Sequence, residues 1–173
     1  EDSTGTLWIG TFGGGLDRLD SQRLQFSHYR NDPNDPSSLG SNYINTIYED
    51  SAGVLWVGTA AGVNQFDRRT QRFTNFQKNP YAPEVLSQSN IAAILENKAG
   101  ILWFGTDNGL VKYDKNAGRF ALYENNRDNL KSLSDNQILA LYEDRTGALW
   151  IGTNSGGISV LNYASNQFDR IEA

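Results

Sequence analysis

The sequence contains no cysteine and no methionine, and His28 is its only histidine. Without cysteine there is neither a disulfide framework nor thiolate chemistry, and a single histidine excludes a multi-histidine metal centre within one chain. No apolar run approaches the roughly 18 residues needed to span a bilayer. The formal charge at pH 7 is -5, and the basic residues are scattered. We therefore expect no nucleic acid partner, no membrane contact by this segment, no metal and no cofactor.

A repeated segment takes up much of the chain. It reads EDSTGTLWIGT, EDSAGVLWVGT, ENKAGILWFGT and EDRTGALWIGT, with tryptophans spaced 48, 47 and 47 residues apart. The repeated structural positions are Trp8, Trp56, Trp103, Trp150, Gly5, Gly53, Gly100, Gly147, Gly10, Gly58, Gly105 and Gly152. A period of this length is typical of a repeat architecture. We divide the chain into repeats 1–48, 49–95, 96–142 and a truncated 143–173.

Each repeat has the pattern of four short β-strands. A short apolar run ends in Asp-x-x-Gly, whose glycine suits a tight hairpin, and LWVGT, VNQFD and RFTNF follow in the second copy. Long polar loops connect the repeats, with no room for a helix. Four antiparallel strands per repeat predict an all-β fold, a β-propeller of about 3.7 blades and 15 strands in one domain, 1–173. The tryptophan of each repeat is expected to pack between neighbouring blades.

The motif set resembles the two-component regulator propeller repeat. The resemblance rests on LWVGT-AAG-VNQFDRRTQRFTNF followed by LSQSNIAAILEN, and on LWFGT-DNGLVKYDKNAGRFALY followed by SLSDNQILALYED. It implies the periplasmic sensor region of a hybrid histidine kinase, a non-catalytic part of a membrane-anchored protein whose ligand is often an oligosaccharide. Such sensors carry further blades, an immunoglobulin-like module, a membrane helix and a kinase. Since the chain starts without methionine and inside a repeat, we expect it to be a piece of something longer.

An incomplete set of blades would leave apolar faces and strand edges uncovered. We expect either self-association, in which a dimer completes a ring of about eight blades, or closure of a single chain as a small four-bladed ring. A structural or protein-interaction scaffold is the alternative function, since exposed blade faces can bind other proteins.

A glycan-cleaving propeller is a third possibility. Paired Glu and Asp at 49/50 and 143/144 have the residue types of a glycosidase, and Asp-x-x-Gly-x-Leu-Trp resembles the Asp-box turn of sialidases. In that family the Asp-box is a structural turn. Here the acidic pair recurs in several repeats, Asn97 replaces one aspartate, and no arginine cluster is visible. A turn-forming role is therefore favoured, and we predict that the chain is not an enzyme.

Ligand recognition is expected where the repeats differ. The loop between the second and third strands and the long loop between repeats emerge on the same side of the blades, because strand direction alternates. Aromatic rings and planar polar groups in these loops suit a carbohydrate. The candidate ligand-binding residues are Phe12, Tyr81, Asp107, Asn108, Arg127 and Asn154. Polar residues are also common in loops that bind nothing, and that interpretation stays open.

Overall fold

Four antiparallel sheets make up the computed structural model, which describes residues 1–20, 24–76 and 82–171. Blade 1 contains β1 (Leu7–Gly10), β2 (Leu16–Asp20) and β3 (Gln25–Tyr29). Blade 2 contains β4 (Ile44–Glu49), β5 (Leu55–Thr59), β6 (Gly62–Asp67) and β7 (Arg72–Asn75). Blade 3 contains β8 (Ile91–Glu96), β9 (Ile101–Thr106), β10 (Gly109–Asp114) and β11 (Arg119–Tyr123). Blade 4 contains β12 (Ile138–Glu143), β13 (Leu149–Thr153), β14 (Ile158–Asn162) and β15 (Gln167–Ile171).

Within every sheet, each strand pairs with the next along the chain. Simple antiparallel meanders of four strands are the blades of a β-propeller. The prediction of an all-β fold with 15 strands, three in blade 1 and four in each other blade, is confirmed for the described residues. Blades 2 to 4 begin at residues 44, 91 and 138, so each takes its first strand from the end of the preceding sequence repeat.

One loop contains a helical turn that the sequence analysis did not expect. This turn, α1 (Val85–Gln88), precedes blade 3. Two backbone amides donate to the Glu84 carbonyl, and the Gln88 side chain bonds the Glu84 carboxylate at 2.6 Å. Leu86 is completely buried. Leu39 and Leu133 are buried at the matching positions of the other two long loops, so the burial of this leucine is shared by all three loops, whereas the helical turn is specific to the loop before blade 3. Among the described residues no helix is long and apolar enough to cross a membrane.

Contacts divide the chain into two compact units, Glu1–Ile91 (unit 1) and Ala92–Ala173 (unit 2), and each has its own apolar core. The core of unit 1 contains Trp8, Leu16, Leu39, Ile44, Leu55, Val57, Phe66 and Phe73. The core of unit 2 contains Trp103, Leu110, Leu133, Ile138, Leu149, Ile151, Leu161 and Phe168. The two sets occupy matching repeat positions, so the same packing is made twice.

Each core includes a tryptophan that contacts the next blade. The Trp8 ring of blade 1 lies 5.0 Å, centroid to centroid, from Phe66 of blade 2. In unit 2 the Trp103 ring lies 5.9 Å from Tyr123 and 6.5 Å from Tyr163 of blade 4. A blade cannot cover its own apolar face, and these large rings fill the space beside it.

Glycine after the tryptophan allows the next blade to approach. A Cβ atom at Gly10 would lie 2.6 Å from Ile44 Cγ2, and one at Gly105 would lie 2.6 Å from Ile138 Cγ2. Those distances are shorter than van der Waals contact, so the first strand of the following blade fits only against glycine. At Gly152 the nearest atom would be Ala140 Cβ at 3.6 Å, an ordinary contact.

The Asp-x-x-Gly segments are turns held together by the acidic side chain. Asp2 Oδ1 accepts hydrogen bonds from the backbone amides of Thr4 and Thr6, at 2.9 and 3.0 Å, while Oδ2 accepts one from the Trp8 indole at 2.8 Å. Gly5 closes the turn with φ +81°, a conformation that favours glycine. Asp50 and Asp144 make the same bonds, including indole bonds of 2.9 Å.

Blade 3 departs from this pattern. Asn97 Oδ1 accepts the two backbone bonds, at 3.1 and 2.9 Å, and Nδ2 donates to the Tyr163 hydroxyl at 3.3 Å. An amide nitrogen cannot accept a hydrogen bond. Trp103 is fully buried, and its indole nitrogen has no acceptor among the described residues. The aspartate-to-asparagine change thus leaves a buried donor unpaired.

Candidate ligand surface on the loops

A threonine fixes the loop between the second and third strands of each blade. Its hydroxyl donates to a backbone carbonyl on the far side of the loop. The four bonds are Thr11 to Gly15 at 2.7 Å, Thr59 to Gly62 at 2.9 Å, Thr106 to Gly109 at 2.8 Å and Thr153 to Gly157 at 2.9 Å. The residue after each threonine is held at the loop tip and differs between blades: Phe12, Ala60, Asp107 and Asn154.

In unit 1 the loop tip carries an aromatic pair. Phe12 is 86% exposed and Tyr43 is 45% exposed, and their rings meet edge to face with centroids 4.8 Å apart. A backbone bridge pairs the two residues, and the amide of Gly13 donates to the Asn42 carbonyl at 3.0 Å. Two rings held open to solvent by paired backbone can stack on the C–H face of a sugar.

In unit 2 the corresponding loop tip is polar. The Asn154 side-chain amide donates to Gln137 Oε1 at 2.8 Å, and its backbone amide donates to the Gln137 carbonyl at 2.9 Å. Beside them, Asp135 Oδ2 accepts from the backbone and the hydroxyl of Ser155, at 3.0 and 2.7 Å. The Ser155 hydroxyl lowers the pKa of Asp135, against a smaller opposing effect of burial. Asp135 is therefore an ionised acceptor at neutral pH.

Asp107 and Asn108 lie on the β9–β10 loop of the same unit. The Asn108 backbone amide donates to Thr106 Oγ1 at 2.9 Å, and its side chain donates to Asp107 Oδ1 at 3.2 Å. The amide of Gly109 binds the Asn136 carbonyl at 2.9 Å. This loop and the β13–β14 loop therefore flank residues 136 and 137, which brings Asp107, Asn108 and Asn154 to one side of unit 2.

The long loops before β4 and β12 have one shared structure. The backbone amides of Asn31 and Asn125 each donate to the side chain of the Asn eleven residues later, Asn42 Oδ1 and Asn136 Oδ1, at 2.7 and 2.6 Å. Their own side chains donate to the Leu39 and Leu133 carbonyls at 2.6 Å. Backbone positions here are therefore fixed, although side chains differ.

The predicted site residues thus fall into separate places. Phe12 lies in unit 1, and Asp107, Asn108 and Asn154 lie together in unit 2. Arg127 is exposed on the long loop before β12. Tyr81 is outside the described residues.

Tyr43, Asp135 and Gln137 were missed by the sequence analysis. They precede the first strand of a blade, and the backbone bonds described above place them against the loop tips. The sequence does contain a signal for them. The residue directly before the first strand of each blade differs between repeats, as the loop-tip residues do: it is Tyr43, Asn90 or Gln137.

The turn carboxylates have little freedom for acid–base chemistry. Both oxygens of Asp144 accept hydrogen bonds from turn amides, Thr146 or Trp150, and these bonds, led by those from the Thr146 hydroxyl and the Trp150 indole, lower its pKa well below the ordinary value. No group of three or more metal-ligating side chains occurs within residues 1–20, 24–76 and 82–171.

Sequence comparison identifies the repeat. Residues 38–61, 85–108 and 132–155 match the family described as two component regulator propeller. These three segments are two-component regulator propeller repeats. Each matched segment runs from the end of the long loop through the Asp-x-x-Gly turn to the following loop tip. It therefore covers the turn and glycine contacts described above, and the predicted family is confirmed.

The chain is similar in sequence to a histidine kinase and in fold to extracellular domains of known structure. A histidine kinase, P4, of Formosa agariphila is 32% identical over 64 residues, which cover 37% of this chain and 5% of the kinase. Two structures of the extracellular domain of BT4673 from B. thetaiotaomicron, one assigned to a one component and the other to a hybrid two component system, superpose with a TM-score of 0.74 at 25% and 24% identity. The match covers 93% of this chain and 20% of that one.

A second B. thetaiotaomicron extracellular domain, BT3049, assigned to a hybrid two component system, gives a TM-score of 0.52 at 24% identity, over 97% of this chain and 27% of that one. That likeness shows the fold. The chain spans about a fifth to a quarter of the length of these structural neighbours and about a twentieth of the kinase.

Proposed function

We propose that this chain is a non-catalytic part of the periplasmic sensor region of a two-component signalling protein. The three repeat matches carry the proposal, and the superposition on an extracellular domain of a hybrid two component system supports it. A test is to replace the matching blades in a hybrid sensor kinase with this segment and to measure transcription of its target gene. Preserved ligand-dependent transcription is the expected result, and constitutive or absent transcription in a stably expressed chimera contradicts the proposal.

The ligand class that we propose is an oligosaccharide. Its support is the exposed Phe12–Tyr43 pair in unit 1, together with the amide, carboxylate and hydroxyl groups of Asn154, Asp135 and Ser155 in unit 2. Rings bind the apolar faces of sugars, and the polar groups bind hydroxyls. Asp107, Asn108, Arg127 and Tyr81 remain predicted contributors.

Titration with soluble glycans, followed by protein NMR or calorimetry, tests this assignment. Phe12→Ala and Tyr43→Ala should each weaken binding about tenfold, since stacking on one ring contributes roughly 1–1.5 kcal/mol. Phe26→Ala is the matched control, because Phe26 is a half-exposed ring on strand β3, away from the loop tips. Equal losses for all three variants would mean that the loop pair has no special role.

We also propose self-association through blade faces. Strand β12 in blade 4 exposes Leu139 at 55% and Tyr142 at 62%, and β1 in blade 1 exposes Leu7 and Ile9. Apolar strand surfaces of this kind favour contact with another blade. Light scattering should show a dimer that Leu139→Asp with Tyr142→Asp converts to monomer. A wild-type monomer at all concentrations contradicts self-association and leaves the ligand proposal unaffected.

A further inference from the structure

A cage of oxygen atoms in blade 4 holds a positive charge. The guanidinium of Arg170 lies inside the long loop before β12. Its Nη2 donates to the carbonyls of Asn126, Asn129 and Leu133, at 3.4, 3.1 and 2.9 Å, and to the Ser132 hydroxyl at 2.8 Å. Its Nε donates to the Ser132 carbonyl at 3.0 Å. Nε and Nη2, which together carry three of its five N–H groups, are directed into this loop.

Unit 1 contains the same loop. Ser38 accepts the amide of Asp32 at 2.9 Å and donates to its carbonyl at 3.0 Å, as Ser132 does with Asn126 at 2.8 and 3.0 Å. The acceptor oxygens of the cage correspond one to one in the two loops. In unit 2 they are the carbonyls of Asn126, Asn129, Ser132 and Leu133 and the Ser132 hydroxyl. In unit 1 the matching groups are the carbonyls of Asp32, Asp35, Ser38 and Leu39 and the Ser38 hydroxyl.

Asn75 stands where Arg170 stands in blade 4. The strand registers establish the match, because Asn75 pairs with Asn64 and Arg170 pairs with Ser159. Asn64 and Ser159 in turn accept the amides of Gly40 and Ser134, at 2.8 and 3.0 Å. Asparagine is too short to fill the cage. A cavity of about 250 Å³ lies there, lined by Asn31, Asp32, Pro33, Asp35, Pro36, Ser38, Leu39, Gly40 and Asn75.

The chemistry of this cavity suits a cation. Its lining contains two carboxylates, where unit 2 has the neutral Asn126 and Asn129, and no lysine or arginine. Asn75 Oδ1 is buried and has no hydrogen-bond donor among the described residues. Arg72 is outside the lining, with its Nη1 bound to Ser37 Oγ at 2.7 Å and 4.0 Å from Asp35 Oδ1. The cavity therefore combines the oxygen cage of unit 2 with added negative charge and lacks the covalent guanidinium.

We propose that the cavity beneath residues 31–40 binds a guanidinium or ammonium group from outside this part of the chain. The occupied loop of blade 4 supplies the geometry, with four oxygens at 2.8–3.4 Å from one cationic nitrogen. Charge-assisted hydrogen bonds of this kind are about twice as strong as neutral ones. The site would accept an amine-bearing small molecule or the end of an arginine or lysine side chain.

Methylguanidinium is the probe for the test, with sodium chloride of equal ionic strength as its reference. We expect a saturable rise in melting temperature and NMR shifts confined to residues 31–40 and their neighbours. Asn75→Arg should abolish the response, because it places a covalent guanidinium in the cage, and should itself raise the melting temperature. Thr74→Arg is the control, since it adds the same charge on the opposite face of the strand and should keep the response.

Asp32→Asn with Asp35→Asn tests the charge without disturbing the loop. The replacements reproduce unit 2, where Asn126 and Asn129 make the same turn bonds through Oδ1, as Asp32 and Asp35 do in unit 1. They should weaken methylguanidinium binding about tenfold.

Arg170→Ala allows a second experiment, on the cage of unit 2. It should lower stability in a way that methylguanidinium restores, which would show that the cage accepts the group from solution. A response that survives Asn75→Arg, no response in the wild-type chain, or binding of calcium alone would overturn the proposal.

Discussion

The unpaired Trp103 indole leads to our most specific prediction. Replacing Asn97 by aspartate supplies the carboxylate oxygen that Asp2, Asp50 and Asp144 present to their tryptophans. Leaving a buried donor unpaired costs about 1–3 kcal/mol, and a hydrogen bond to a charged acceptor contributes about 1.5–3 kcal/mol. The substitution therefore corrects a defect that blade 3 alone has among the described turns.

Burial of the new charge opposes this gain. Asn97 is 8% exposed, and a carboxylate there loses solvation. In unit 1 the Arg68 guanidinium binds Asp2 at 2.7 Å, whereas the corresponding contact of Asn97 is the neutral Tyr163 hydroxyl. That hydroxyl can turn to donate. We expect a net stabilisation of about 1 kcal/mol at pH 7, or a rise of ~2–4 °C in melting temperature for a chain of this length.

Urea unfolding, followed by tryptophan fluorescence and circular dichroism, measures the difference. Asn97→Asp should raise the urea midpoint without changing the slope. Asp50→Asn is the reciprocal control: it removes the acceptor from the buried Trp56 and should cost about 1–3 kcal/mol. Adding Tyr163→Arg to Asn97→Asp should increase the gain further by restoring the cation. A loss of stability at pH 7 in Asn97→Asp would refute the reasoning, since it would mean that desolvation outweighs the hydrogen bond.

Three further outcomes follow from the turns and glycines. Arg68→Ala should lower the free energy of unfolding by about 2 kcal/mol, because it leaves the buried Asp2 carboxylate and the partly buried Glu49 carboxylate without their shared cation. Arg68→Lys, with one point charge, should recover only part of that free energy in urea unfolding. Burial opposes ionisation of Asp2, but bonds from Thr4, Trp8 and Arg68 outweigh it and lower its pKa. The folded chain therefore binds fewer protons than the unfolded chain in the acidic range. The stabilisation from ionised Asp2 is present above the unfolded pKa of about 3.9 and is lost below it. The free energy of unfolding should decline as acid is added below about pH 5 and stay level at neutral pH. Gly105→Ala should cost about 1–3 kcal/mol because the new methyl overlaps Ile138, whereas Gly152→Ala, with 3.6 Å of room, should cost clearly less; equal melting temperatures would contradict this use of glycine.

The sequence was sufficient to predict the blades because the residues that pack them recur in every repeat. Tryptophan, the Asp-x-x-Gly turn and alternating apolar residues recur at fixed spacing, and each has a local physical reason. The structure adds contacts between distant residues. The threonine of the loop tip recurs in every repeat, and the Asn31–Asn42 pair recurs as Asn125–Asn136 in the loop before β12. Their hydrogen bonds span up to eleven residues and carry no apolar periodicity. The long loops were therefore predicted to be variable, although those before β4 and β12 share the same backbone hydrogen bonds.

The candidate site was harder to predict for a related reason. Phe12 is singled out by its repeat position, but Tyr43 becomes its partner only through a backbone bridge between two blades. Asn154 and Gln137 meet in the same way. Differences between the repeats identify single variable positions in the sequence. A ligand surface also needs the residue before the first strand of a blade, and only the arrangement of the sheets places that residue beside a loop tip.

Departures from the repeat are most informative when they are compared with the blade that keeps it. In unit 1 an aspartate in the turn contacts an arginine, and in unit 2 an asparagine contacts a tyrosine at the matching position. Charge has been removed on both sides of the contact, so the change is compensated there and leaves only the indole unpaired. The loop cage shows the opposite case: unit 1 has Asn75 where unit 2 has Arg170, and it has Asp32 and Asp35 where unit 2 has Asn126 and Asn129. Arg72 lies 4.0 Å from Asp35 Oδ1 and outside the cavity lining. Negative charge around fixed oxygen atoms is what a further cation supplied from outside would balance.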